Sequence, residues 1–210
     1  MRTAAVFDHG LFLNGAEFTL LRRRLATRHG FQTHRFSYPT VRGAMSGAIE
    51  RLTRFVDRID AEQIHFIGHS LGGIVLCRYF QLANPSRPGR VVLLGSPLVG
   101  SGSARAVARH PVLRRVIGPL VNAELVDECD SRTWQCGREL GLIAGTQPMG
   151  LGRLFARFQE ESDGTVAVSE TRLPGHTEHL ALPVSHMGML VSARVARHVG
   201  AFLENGRFEP

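Results

Sequence analysis

Ser70 has the surroundings that most plainly offer chemistry. It stands in Gly68-His69-Ser70-Leu71-Gly72-Gly73, directly after the apolar run Ile64-His65-Phe66-Ile67 and directly before apolar residues at helical spacing. A serine on so sharp a strand-to-helix turn is held out above the edge of a sheet. Gly68 and Gly72 let the strand and helix backbones approach where a Cβ would collide. The Leu71 N–H, at the start of the new helix, points towards any oxygen that becomes negative when Ser70 attacks a carbonyl. Such an attack needs a base for the hydroxyl proton and an acid to orient that base. A glycine-rich turn whose serine merely caps a helix shares the bare pattern. The buried strand before it and the helix after it favour the nucleophile.

With that context the stretch resembles the nucleophile elbow of the α/β-hydrolase superfamily, and within it the small bacterial lipases and esterases. The resemblance implies the chain order Ser, acid, His. Of the ten histidines, His110, His176, His179, His186 and His198 lie beyond the elbow and its helix. His186, in Pro183-Val184-Ser185-His186-Met187-Gly188, follows the last strand and precedes the final helix, where the family places its base. His110 falls in a helical segment and His198 inside the final helix, while His176 and His179 read as loop residues rather than a metal pair. The acid implied is Asp163, because Asp163-Gly164-Thr165-Val166 resembles the acid loop of lipase-like members; Glu161, Asp127 and Asp130 compete. His9-Gly10-Leu11 resembles the loop that gives the second oxyanion donor, which assigns the Leu11 N–H beside that of Leu71 and gives Gly10 the close approach. Asp8 departs from the family's usual apolar residue there. Gly95-Ser96-Pro97-Leu98-Val99-Gly100-Ser101 also resembles a lipase turn.

The elements that must hold these residues follow from periodicity. Ala4–Phe7, Phe31–Phe36, the run before Ser70, Val91–Leu94, Leu140–Ala144 and His179–Val184 read as strands. Ala16–His29, Ala44–Asp60, Leu71–Ala83 and about Met187–Asn205 read as helices. Regular alternation predicts a compact α/β fold with about six mostly parallel strands and helices on both faces. Leu98–Gln135 shows no clear strand, only amphipathic pieces around Pro111, and is expected to form a small helical cap within a single 1–210 domain. Leu11, Phe12, Leu98, Val99 and Met187, adjacent in sequence to the chemistry, are the expected lining of a shallow acyl pocket.

Composition narrows the function. All 25 basic residues are arginine, so Schiff-base lysine chemistry and a P-loop lysine are excluded. The net charge of +7 is spread along the whole chain, which argues for a solvated surface and against nucleic acid. The three cysteines form no C-x-x-C pair with one another; Cys77 reads as core packing, and Cys129 and Cys136 as free thiols in a cytoplasmic protein. No membrane-length apolar run or signal-peptide pattern appears, so stable membrane insertion is not expected, though transient contact with a lipid surface is compatible. The expected activity is ester hydrolysis through a Ser-His-Asp triad on a small-molecule or lipid ester, with no metal or organic cofactor implied. Acyl transfer or thioester cleavage would use the same triad, and a silent binding homologue is the remaining alternative.

Overall fold

The computed structural model describes residues 2–127, 132–149 and 160–209. Six parallel strands form one sheet: β1 (Thr3–Asp8), β2 (Gln32–Arg35), β3 (Gln63–His69), β4 (Val91–Leu94), β5 (Leu140–Gly145) and β6 (Glu178–Leu182), in the order β2-β1-β3-β4-β5-β6. β1 pairs with β3 over Thr3↔Gln63 to Asp8↔Gly68, which puts Asp8 beside the elbow. β4 and β5 continue the register through Ile67↔Val92 and Val92↔Gly141.

Strand periodicity splits the core into two layers. Ala4 and Val6 of β1 and Ile64 and Phe66 of β3 face α2 (Met45–Asp57) and α3 (Leu71–Ala83). Ala5, Phe7 and Ile67 face the side where α1 (Thr19–His29) packs on a C-terminal helical pair, α6 (Gly188–Val191) and α7 (Ala193–Asn205). Central strands buried on both faces must be apolar throughout, and β4 is Val-Val-Leu-Leu with no exposed residue.

Three of the boundaries that differ from the sequence reading have a local physical cause. The second strand is shorter than Phe31–Phe36; its polar residues sit at an exposed edge, and Phe31 and Phe36 anchor its ends in opposite core layers. β6 stops at Leu182, ahead of Pro183, which has no N–H to continue a ladder. The final helix is two helices, because Ser192 is extended (φ −71°, ψ 127°) and its hydroxyl caps the Val195 N–H.

Above the carboxyl ends of the strands lie α4 (Gly102–Ala108) and α5 (Pro111–Val121), followed by a π-helical turn, Asn122–Asp127. Pro111 opens α5 from an extended His110, which explains the break expected there. At Gly118, φ is 82°, and a Cβ would come within 2.1 Å of the Val41 carbonyl, so α5 kinks against the loop after β2. Glu124 is buried beneath these helices between Arg78 Nε (3.0 Å) and Arg132 Nη2 (2.7 Å), which ties the cover to α3. Cys77 and Cys136 are free thiols, and burial pushes Cys77 up to about 12; Cys129 lies outside the described residues. Among the described residues no helix is long and apolar enough to cross a membrane.

Candidate active site

Ser70 joins β3 to α3 with φ 54° and ψ −121°, a conformation that costs a residue bearing a Cβ about 1–3 kcal/mol. The surroundings enforce it. Its N–H donates to the Leu94 carbonyl at 3.0 Å, and its carbonyl accepts from the Gly73 N–H at 3.1 Å. A Cβ on residue 68 would lie 2.7 Å from the Gly73 Cα, and one on residue 72 would lie 2.2 Å from the Asp8 carbonyl oxygen. The turn can close only with glycine at both places.

Asp163 and His186 come from the loops flanking β6 and meet beside this turn. The His186 Nδ1–H donates to Asp163 Oδ2 at 2.6 Å, which leaves the lone pair on Nε2. Asp163 is buried, and its other oxygen accepts the Thr165 and Val166 N–H groups, each at 2.8 Å. The two residues are also joined through the backbone, where the His186 N–H donates to the Asp163 carbonyl at 3.0 Å. Among the described residues no hydrogen bond joins the Ser70 hydroxyl to His186, although both line one pocket. Such contacts are often loose until substrate binds.

Of the competing acids, Glu161 is exposed; the Asp127 side chain and all of Asp130 fall outside what is described. His176 and His179 stand ring to ring at 6.0 Å, with His179 on β6 and hydrogen-bonded to the Thr171 hydroxyl at 2.8 Å. Among the described residues no group of histidine, cysteine or acidic side chains is placed to share a metal ion.

The loop after β1 is pinned by His9. Its Nδ1–H donates to the Gly10 carbonyl at 2.9 Å, and its Nε2 accepts the Tyr38 N–H at 3.3 Å. Phe12 takes a left-handed φ of 61°, with its N–H on the Thr40 hydroxyl. Gly10 fits because a Cβ there would stand 3.1 Å from the Ser70 Cβ. The Leu11 N–H has no acceptor among the described residues. The Leu71 N–H belongs to the first turn of α3, where no intrahelical acceptor exists.

Asp8, where the family usually has an apolar residue, is fully buried, and among the described residues neither carboxyl oxygen has a hydrogen-bond partner. Burial raises its carboxyl well above the ordinary 3.8, against a smaller opposing influence of the His9 backbone N–H. The folded chain therefore keeps a proton that the unfolded chain gives up. Stability falls as pH rises from about the ordinary carboxylate value towards the raised one. Asp8→Asn, isosteric and never charged, is expected to melt above the wild type at pH 8, with the gap closing as pH drops towards 4. Circular-dichroism melts across that range check this, and a gap independent of pH would show that Asp8 is not held neutral.

The pocket beside Ser70 encloses about 420 Å³. Leu11, Phe12 and Met187 line it as expected from the sequence, with His69, Ser70, Leu71 and His186. Leu98 and Val99 do not. Their N–H groups donate to the Glu170 carbonyl at 2.7 and 3.2 Å, and this pairing turns Leu98 into the core. The wall they were expected to form comes from α4 and α5, through Ala104, Val107, Leu113, Val116 and Ile117.

A family model described as "Alpha/beta hydrolase family" matches residues 5–186. The chain belongs to that family. Among solved structures, it is similar to the Bacillus licheniformis lipase BlEst2 in its mature form, with TM-score 0.69 and 17% identity over 99% of this chain and 93% of that one. Phospholipase PlaB from Legionella pneumophila gives 0.70 and 16% over 95% of this chain and 57% of that one. The pyrethroid hydrolase PytH gives 0.64 and 15% over 98% and 99%. No curated protein matches the sequence.

Of two further residues of this α/β-hydrolase's site, sequence reasoning read Gly95 only as part of a lipase-like turn and missed Gly145. Gly95, just past β4, has φ 52°, and a Cβ there would stand 2.9 Å from Asp163 Oδ2 and 3.2 Å from His186 Nδ1. Gly145, the last residue of β5, would meet the Asp163 Cβ at 2.7 Å. These glycines form the seat on which Asp163 and His186 rest. The available signal was a glycine at the carboxyl end of each of two neighbouring strands, which reads equally well as a turn.

Proposed function

We propose that this α/β-hydrolase cleaves carboxylic esters, with Ser70 as nucleophile, His186 as base and Asp163 as the acid that orients it. The observation that carries the reading is the 2.6 Å His186–Asp163 contact at the rim of the pocket into which the strained Ser70 turn projects. Ser70 Oγ attacks the acyl carbon while His186 Nε2 takes its proton, and the Leu11 and Leu71 N–H groups receive the oxyanion. Collapse breaks the bond to the alcohol oxygen, and His186 hands that oxygen its proton. Water then attacks the acyl–Ser70 bond with His186 again as base, and the carboxylic acid leaves. Asp163 holds the proton on Nδ1 throughout and stabilises the imidazolium. The whole chain acts as one catalytic unit under its α4–α5 cover. Its partner is a small-molecule or lipid ester, touched at lipid surfaces only in passing. Similarity to proteins described as a lipase, a phospholipase and a pyrethroid hydrolase supports an ester substrate.

The pocket sets the acyl chain. Each methylene laid against an apolar wall gains up to about 0.8 kcal/mol, and one that protrudes gains almost none. In a space of about 420 Å³ closed by α4 and α5, chains of medium length find the most wall. A fluorophosphonate probe is expected to label the wild type at Ser70. Butyrate and octanoate esters should show higher kcat/KM than palmitate esters, with no jump in rate on emulsification. An unlabelled protein would end the serine-hydrolase reading, and strong preference for emulsified long-chain triglyceride would turn α4 and α5 into a mobile lid.

A further inference from the structure

His69 stands between the two halves of the site. It is fully buried at the end of β3, its ring centroid 4.6 Å from that of His186, and its Nε2 lies 3.1 Å from the His186 carbonyl oxygen. A carbonyl only accepts, so Nε2 carries a proton and donates it. The other nitrogen, Nδ1, is buried and has no hydrogen-bond partner among the described residues, and a Cβ on residue 10 would stand 3.5 Å from it. Burial first, and His186 second, hold the ring well below the usual imidazole range, which keeps it neutral.

Simple packing does not call for this residue. The same layer is filled by Phe18, Ile67 and Leu94, and histidine brings into it an unpaired acceptor of its own, Nδ1, at a cost of about 1–3 kcal/mol. What histidine adds is a donor at one point in space. Beyond His186 the short α6 begins, and its first turn takes the carbonyls of Ser185, Met187 and Gly188, so among the described residues His69 alone donates to that of His186. The His186 main chain is then gripped on both sides, its N–H by the Asp163 carbonyl and its C=O by His69.

We propose that His69 is a positioning residue, whose Nε2–H fixes the His186 backbone and so holds the His186 imidazole at the height from which it can serve Ser70. This rests on the ester-hydrolase reading above. A shift of about 1 Å in a catalytic group can lower a rate a hundredfold without weakening binding, so the effect belongs in kcat rather than KM.

Three variants separate positioning from packing. In His69→Gln the amide nitrogen reaches the place of Nε2; in His69→Asn it reaches only that of Nδ1; His69→Leu fills the volume with no donor. The expected kcat of the Gln variant is within about threefold of wild type, while the Asn and Leu variants lose roughly 10- to 100-fold at unchanged KM. Fluorophosphonate labelling rates should follow the same order. A packing role predicts the reverse order, with Leu nearest to wild type, and that order would overturn the proposal. Should the Leu variant fail to fold, equal kcat in the Gln and Asn variants would overturn it as well. A wild type that the probe does not label would remove the hydrolase reading and this inference with it. A labelled wild type whose variants show the packing order would remove this inference alone.

Discussion

Ser70→Ala is expected to lower kcat by about 10⁴ to 10⁶ while leaving the melting temperature close to wild type. Alanine keeps a Cβ at φ 54°, so the backbone strain of the turn and its hydrogen bonds to Leu94 and Gly73 are retained and only the attacking oxygen is lost. Residual turnover would come from binding and the two N–H donors. His186→Ala should be about as damaging, and the double variant hardly worse than either single one, because nucleophile and base act as a unit. Ser70→Gly supplies a control: equally inactive, yet more heat-stable, since glycine takes positive φ without strain. Steady-state kinetics and melting curves on the four proteins check this, and a fall in kcat of less than about tenfold for Ser70→Ala would remove the nucleophile.

Asp163→Asn is expected to cost about two to four orders of magnitude in kcat, less than the loss of Ser70. The amide can keep Oδ1 as acceptor for the Thr165 and Val166 N–H groups, so the loop stays folded. Its NH₂ then faces His186 Nδ1, which can no longer donate. The ring proton moves to Nε2, the atom that must be bare to take a proton from Ser70. Asp163→Ala would also dismantle the loop and so confuse geometry with tautomer. Kinetics with a matched folding check decide it, and near-normal turnover of the Asn variant would transfer the role to Glu161 or to an acid near the cover.

What could be read in advance divides along a physical line. Patterns confined to one turn were legible. Gly68, Ser70 and Gly72 declare a backbone geometry through the side chains they lack, and an unbroken apolar run such as Val91–Leu94 declares a strand covered on both faces. The edge strand was harder, because Gln32–Arg35 is half in water and its polar residues carry little period. The pocket wall was partly missed. Proximity in sequence to the chemistry suggested Leu98, whereas a backbone pairing with Glu170, some seventy residues on, decides where that side chain points. Gly145 escaped notice, and Gly95 was read only as part of a turn, for the same reason, since what a missing Cβ makes room for arrives from another part of the chain.

The order of the strands has a consequence for biosynthesis. The pairing of β1 to β4 with one another, and the backbone hydrogen bonds of the serine turn, involve no residue beyond Leu94, so these contacts can form before β5 and β6 leave the ribosome. His186 reaches its place only after β6 has added to the growing edge, and the contact it makes with His69 spans 117 residues. On the proposed mechanism, a nascent or prematurely terminated chain therefore displays Ser70 with no base to activate it. On that mechanism no ester is attacked until almost the last helix has been synthesised.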